Sequence, residues 1–408
     1  MRKEWTTLTI CEADKCTGCG ACMNICPTGC VSMEPNRYGI LHPVVNGIKC
    51  IECKKCIRIC PSNNEATLLP AQKVYASWRK DEQQLKDSAS GGIGAVLAEH
   101  WIANGGIVYG TAYDENFHPR IEAATTLDGI QKFKGSKYVQ SETGFVYNEV
   151  REFLKQGKKV LFFGTPCQLA GLYSIVGRSF DNLLTVEILC HGVSPDRYFQ
   201  EEIEQLRKEN GIDDFDNVSF RTNRWLLDFS FAIWNKGQLI YEKPAYENRY
   251  FASFLTGLSL RESCYQCKYK SVKRLGDLLI GDFIGLGKNV PFEFSSAHKS
   301  LVICMSENGS NFLNRCSEDL MLVERTIEEA IFEGRSLRES FPRHPKQREF
   351  QNIVVNKGFI SAAEEILGES MKLESQKNRK WRVKRNLKIW LYYKFHIKIH
   401  NKRISIEK

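Results

Sequence analysis

The chain has 408 residues and a mass of 46.8 kDa, too long for one small domain and long enough for two or three with a buried core. Its 42% hydrophobic and 26% charged residues suit a globular protein, and two features exclude export and spanning: MRKEWTTLTICEAD has no apolar signal region, and the longest uncharged run, Val160–Gly177, is broken by Pro166 and Gln168. The formal charge of +9 is lopsided, because residues 377–408 hold twelve Lys/Arg and one Glu while the rest carries 45 basic and 47 acidic residues.

Ten of the sixteen cysteines fall within residues 11–60. Cysteine density without a secretory signal points to metal or redox use in a reducing cytoplasm. The first motif is Cys16-Thr17-Gly18-Cys19-Gly20-Ala21-Cys22-Met23-Asn24-Ile25-Cys26-Pro27. It recurs as Cys50, Cys53, Cys56, Cys60 and Pro61, displaced by 34 residues. Each copy reads C-x2-C-x2-C-x3-C-P, in which three close thiolates hold three corners of a 4Fe–4S cubane and the fourth reaches the other cluster. Cross-ligation therefore predicts one cluster on Cys16, Cys19, Cys22 and Cys60, and a second on Cys50, Cys53, Cys56 and Cys26. Zinc ribbons use two separated CxxC pairs instead. Residues 1–70 resemble a bacterial dicluster ferredoxin domain, with Cys11 and Cys30 left as packing thiols. Pro61–Gln72 reads as the link to the next domain.

From Lys73 the pattern alternates. Val74–Trp78 predicts a strand, Ser90-Gly91-Gly92 a glycine-rich entry to a helix over Ile93–Asn104, and Ile107–Tyr113 the next strand. Val160–Phe163 predicts a strand ending in Gly164-Thr165-Pro166-Cys167-Gln168, and Leu183–Leu189 another ending in Cys190-His191-Gly192. Val218–Arg221, Phe229–Ile233 and Gln238–Tyr241 predict antiparallel strands, the last two joined at Asn235-Lys236-Gly237. The fold class is α/β or α+β with a mixed sheet. Boundaries fall at 71–160 and 161–345 for two parts of one body, with a helical segment over 346–408.

Ser90-Gly91-Gly92 admits two readings, a backbone cradle for a phosphate or ring and a plain helix cap with Ser90 as the capping oxygen. It lacks the third glycine of a dinucleotide fingerprint, and Gly281–Lys288 has the wrong spacing for a phosphate loop. Cys167, Cys190, Cys264 and Cys267 are four thiols on turns, enough for a third 4Fe–4S cluster or for a four-thiolate zinc site. Cys304 and Cys316 read as buried packing residues.

The body resembles the beta subunits of the coenzyme F420 hydrogenase and dehydrogenase family. The resemblance rests on Ser90-Gly91-Gly92, Gly135-Ser136-Lys137-Tyr138-Val139, Gly164-Thr165-Pro166-Cys167-Gln168, Cys190-His191-Gly192, Phe220-Arg221, Cys264-x-x-Cys267, Gly276-Asp277 and Ile280-Gly281-Asp282-Phe283. It implies FAD beside a third 4Fe–4S cluster on Cys167, Cys190, Cys264 and Cys267. Flavin or substrate contacts would come from Ser90, Gly91, Gly92, Ser136, Lys137, Tyr138 and Asp282, with His191 and Lys137 as catalytic candidates. Asp277 and Asp282 read as anchors of the loop around Cys264–Cys267. The implied activity is an oxidoreductase that takes electrons from a reduced ferredoxin or other redox partner to a small organic molecule. The family phrase ends Gly-Asp-Phe-Trp-Gly, whereas Ile284 stands in the Trp place here. Members with this fused layout occur beside surface-polysaccharide genes, which sets a substrate of that biosynthesis beside F420 itself. A non-catalytic electron-transfer subunit is the alternative.

The tail, residues 377–408, sets Trp381, Val383, Leu387, Trp390, Leu391 and Phe395 among Lys and Arg. A basic amphipathic helix suits peripheral attachment to an anionic membrane surface or docking on a partner or on the body. No nucleic-acid module accompanies the charge.

Overall fold

The computed structural model describes residues 8–222, 229–295 and 298–395, with the backbone alone over 381–395. In chain order the elements are α1 (Ala21–Asn24), β1 (Val31–Pro35), β2 (Leu41–Val45), α2 (Lys55–Ile59), β3 (Lys73–Arg79), α3 (Glu82–Lys86), α4 (Ile93–Ala103), β4 (Ile107–Tyr113) and β5 (Pro119–Ala124). They continue with α5 (Val146–Lys155), β6 (Val160–Gly164), α6 (Pro166–Val176), β7 (Leu183–Ile188), α7 (Asp196–Asn210), β8 (Asn217–Ser219), β9 (Ser230–Asn235) and β10 (Gln238–Pro244). The last are α8 (Arg249–Leu255), β11 (Leu278–Asp282), β12 (Ser300–Cys304), α9 (Glu307–Arg315), β13 (Leu320–Arg325), α10 (Ile327–Glu333) and α11 (Gln347–Phe395), which breaks at Gly358 where φ is 85°.

The body is built on an eight-stranded sheet in the order β13-β3-β12-β11-β7-β6-β4-β5. Strands β4, β6, β7 and β11 pair in parallel, β3 points the same way, and β5, β12 and β13 oppose them. The apolar runs of β4, β6 and β7 fit strands covered on both faces. Val108 and Leu161 face one side with α4, whereas Tyr109 and Phe162 face the other with α5 and α6. Thr165 caps α6 in a capping box with Gln168, and Pro166 occupies the first turn, so the chain leaves β6 and starts the helix at one defined point.

A second sheet, β10-β9-β8, is antiparallel and hairpin-built. Lys236 and Gly237 both adopt positive φ (49° and 77°), as a two-residue hairpin loop between Asn235 and Gln238 requires. Its core is aromatic, with Phe199, Phe220, Phe231, Tyr250 and Phe251 packed between α7, α8 and α11.

The N-terminal unit carries the short β1–β2 ribbon and the one-turn helices α1 and α2. It is fastened to the body by buried polar bonds. Asn24 Nδ2 donates to Gly144 O (2.8 Å), Thr143 Oγ1 to Cys19 O (3.0 Å) and Asn148 Nδ2 to Asn24 O (2.8 Å). The link is tied as well: Leu69 and Arg274 exchange backbone bonds, and Gln72 N–H meets Cys304 O. Among the described residues no helix is long and apolar enough to cross a membrane. The amphipathic reading of the tail falls on side chains that lie, beyond Lys380, outside the described residues.

Candidate redox site

Two hollows in the N-terminal unit sort the thiols. Cys16, Cys19, Cys22 and Cys60 line one, and Cys26, Cys50, Cys53 and Cys56 line the other. This is the interleaving that the spacing predicts, since Cys60 and Cys26 each sit with the other copy's three. Gly18 and Gly20 hold φ of 68° and 75°, which bends the chain so that successive thiols turn inward. Sequence reasoning missed that each hollow has a fifth cysteine: Cys11 lies against Cys16 and Cys60, and Cys30 Sγ lies 3.4 Å from Cys26 Sγ. No spacing rule marks either one.

The remaining thiols also come together. Cys167 stands in the first turn of α6 and Cys190 two residues beyond β7. Cys264 and Cys267 arrive on the loop after α8, and all four interact electrostatically. Burial pushes the thiols of Cys167 and Cys190 up, and that of Cys264 up to about 12. A thiolate at such positions is stable only next to a cation. Among the described residues no three His, Cys, Asp or Glu side chains converge closely enough to hold one metal ion.

Arg261 lies between this quartet and the inner hollow. Its Nε donates to Cys16 O (2.7 Å), its Nη1 to Gln140 Oε1 (3.2 Å), and its own backbone N–H to Val193 O. The guanidinium presses on Gly18, where a Cβ would fall 2.7 Å from Nη1. It is 1% exposed, has no carboxylate partner among the described residues, and its Nη2 is buried without an acceptor. Tyr269 Oη is a second orphan in the same partition, near Cys19, Cys60, Cys167 and Cys267. Buried donors without acceptors, and a buried cation with no carboxylate beside it among the described residues, fit an anionic group with exposed sulfides on either side. Beside them Arg274 and Glu187 form a fully buried ion pair (3.3 Å). Two further donations, Arg274 Nη1 to Tyr269 O and Nη2 to Ser336 O, hold the loop that carries Cys267.

The other motif residues gather where β3, β4, β6, β7 and β11 end, the carboxyl edge at which open α/β sheets hold ligands. Asp282, the last residue of β11, pairs with Arg221 (2.6 Å), and the Tyr138 phenol lies beside both, near Ser136. Arg221 Nε is buried without a partner among the described residues. His191 Nδ1 meets Ser336 Oγ (3.1 Å). Burial and Lys270 hold its pKa below the ordinary value, so the ring is neutral at pH 7.

Other expectations are redirected. Lys137 does not reach into this edge: its ammonium lies on the carbonyls of residues 132–135 and over the Tyr113 ring, and burial lowers its pKa to about 8. Gly91 N–H donates to Ser300 Oγ, and a Cβ there would meet Ser77 O at 2.4 Å, so this glycine serves close packing. Ser90 receives the Ser300 hydroxyl and does not cap α4. The cap is Gly92 at φ 76°, with no side-chain bond, which leaves the helix N-terminus open beside the ends of β6 and β11. Asp282 and Asp277 do not anchor the Cys264–Cys267 loop, because Asp277 accepts from Thr185 and Ser306.

Comparison with known proteins finds similarity in two regions of the chain. Residues 157–330 match the family model described as the C terminus of the beta subunit of coenzyme F420 hydrogenase/dehydrogenase, and residues 15–64 match the 4Fe-4S dicluster domain. The F subunit of the F420H2 dehydrogenase of Methanosarcina mazei is 24% identical over 173 residues, 39% of this chain and 48% of that protein. The chain thus spans about half the length of that relative. A solved chain from the F420-reducing NiFe hydrogenase complex of Methanosarcina barkeri is similar over 74% of this chain and 93% of its own, at 16% identity and a TM-score of 0.40.

Proposed function

Starting from a chain that joins the C-terminal domain of an F420 hydrogenase/dehydrogenase beta subunit to a 4Fe-4S dicluster domain, we propose an iron–sulfur flavoprotein oxidoreductase with three clusters and one FAD. Arg261 is the observation that carries this reading. A guanidinium only 1% exposed, with no carboxylate beside it among the described residues, fits flanking anionic groups, and the flanking residues are Cys16 and Cys264.

The holding residues are Cys26, Cys50, Cys53 and Cys56 for the outer cluster and Cys16, Cys19, Cys22 and Cys60 for the inner one. Cys167, Cys190, Cys264 and Cys267 would hold the third. The groups, when bound, supply one-electron transfer and, at the flavin, its conversion to hydride chemistry. The chain lays these quartets out from its surface, through its interior, to the carboxyl edge of the sheet. At that edge Asp282 fixes Arg221, whose free Nε offers a hydrogen bond to a ring or phosphate oxygen. Tyr138 and Ser136 border the same space, and Ser90 and Gly92 stand at the open end of α4. His191, neutral and held by Ser336 through one ring nitrogen, keeps the other for proton exchange with the substrate.

The outer end suits a reduced ferredoxin or similar acidic carrier. Ile48 and Ile51 are 84% and 64% exposed there, and Lys49, Lys54 and Lys55 are exposed around them. The organic partner is an F420-type deazaflavin, as the relatives' names suggest, or a precursor in surface-polysaccharide synthesis. A second reading, an electron-transfer subunit without its own substrate, is favoured by the match to a protein named as a subunit. Turnover by the isolated chain separates the two. The basic tail supports peripheral attachment to anionic lipid at the cytoplasmic face. Vesicle co-sedimentation that does not fall on truncation after Lys372 would remove that element.

Anaerobic purification with iron, sulfide and flavin counted per chain tests the whole. About twelve irons and one FAD are expected. About eight irons without flavin would reduce the protein to a ferredoxin on an inert body. An iron count unchanged by Cys264→Ser with Cys267→Ser would refute the third site.

A further inference from the structure

Each hollow of the N-terminal unit is lined by five cysteines, and a cubane takes four. The outer hollow has Cys30 in addition to Cys26, Cys50, Cys53 and Cys56. The inner one has Cys11 in addition to Cys16, Cys19, Cys22 and Cys60. The geometry is sharpest for Cys30. Gly29, at φ 61°, turns the chain after Cys26-Pro27-Thr28, and Gly29 N–H closes the turn on Cys26 O. That turn returns the Cys30 backbone N–H to Cys26 Sγ (3.3 Å) and brings the two sulfurs to 3.4 Å. Cys30 is buried, at 7% exposure, and interacts with Cys50 as well as with Cys26, so its sulfur faces the hollow rather than solvent.

We propose that Cys30 is a reserve ligand of the outer cluster, able to replace Cys26 on the same iron. The inference rests on the cluster assignment above and adds a residue to it. A metal–thiolate bond is about 2.3 Å long, and the Cys30 sulfur lies 3.4 Å from the Cys26 sulfur, so a side-chain rotation could bring it to a metal held on Cys26. In the exchange the Fe–Sγ bond of Cys26 breaks and that of Cys30 forms. The thiol proton of Cys30 passes to the departing Cys26 sulfur, and no iron changes oxidation state. Cys11, in contact with Cys16 and Cys60, stands in the same relation to the inner cluster. Thus the outer site would keep four thiolates when the turn that carries Cys26 is disturbed.

The test is iron content and electron paramagnetic resonance of full-length protein purified without oxygen, for the parent, Cys26→Ser, Cys30→Ser and the double variant. The parental iron count is expected in both single variants, with a shifted signal in Cys26→Ser where the ligand has changed. The double variant should lose about four irons. Loss of four irons from Cys26→Ser alone would overturn the proposal, as would full iron in the double variant. Failure of Cys26→Ser to yield folded protein while Cys30→Ser folds counts equally against it, because Cys30 is expected to restore the site. A parent without clusters would instead defeat the cluster assignment on which this inference rests.

Discussion

Replacing Arg261 with Gln removes one positive charge from between two cysteine quartets while keeping a donor that can reach Cys16 O. The guanidinium is 1% exposed, and no acid neutralises it among the described residues, so solvent screening is small. Taking about 7 Å to the centre of each neighbouring cluster and an effective dielectric of about 20, the lost attraction for one added electron is about 2 kcal/mol. For a one-electron couple that is about 100 mV, since 59 mV corresponds to a tenfold change in equilibrium constant. Potentiometric titration followed by electron paramagnetic resonance should show the inner and third clusters both shifted down by about this amount, with the outer cluster unmoved. Arg261→Lys, which keeps the charge, should recover most of the shift. Unchanged potentials in Arg261→Gln, or an equal shift at all three clusters, would refute the placement of this charge as a bridge.

Three further outcomes rest on contacts already described. Arg274→Met strands Glu187 in the interior and should cost about 3–5 kcal/mol in denaturant unfolding. Adding Glu187→Gln should recover much of it, and an unchanged midpoint in the single variant would show the pair to be dispensable. The Arg249 guanidinium holds the Glu209 carboxyl down to about 2 against an ordinary 4.5. A carboxyl depressed by folding stabilises the protein above its unfolded pKa, and the effect fades as pH falls through the folded one. Glu209→Gln should therefore melt earlier than the parent at neutral pH, and the gap should close as pH drops from 4.5 toward 2; a gap that widens on acidification contradicts the sign. Lys137→Met removes the ammonium from the carbonyls of residues 132–135 and should cost about 1 kcal/mol while flavin content stays level. Flavin loss at unchanged stability would return Lys137 to the cofactor.

The eight motif thiols of the first 60 residues were legible because cubane chemistry fixes their local spacing, whereas Cys11 and Cys30 stand outside any spacing rule. Strands such as Ile107–Tyr113 were legible because a twice-covered parallel strand must be apolar throughout. The third quartet was visible only as four thiols on turns, since its members come from three chain regions that meet when β6, β7 and the loop after α8 assemble. Arg261 carried no signal at all: an arginine next to Glu262 reads as solvated until the fold buries it. Lys137 misled for the converse reason. Its neighbours in sequence are polar, but the carbonyls it covers are offered by a turn that no periodicity announces.

The partition around Arg261 also bears on how the protein is made. The inner thiols are at most 8% exposed once Gln140, Thr143, Asn148, Gly171 and Arg261 of the body close over them. That closure also sets the Arg261 cation beside Cys16, whose thiol is held down to about 4 by its hydrogen bond with Cys11 and further by His42 and Arg261. Metal held by these thiols would have to enter before the two halves of the chain join, because the closed body leaves the thiols little access.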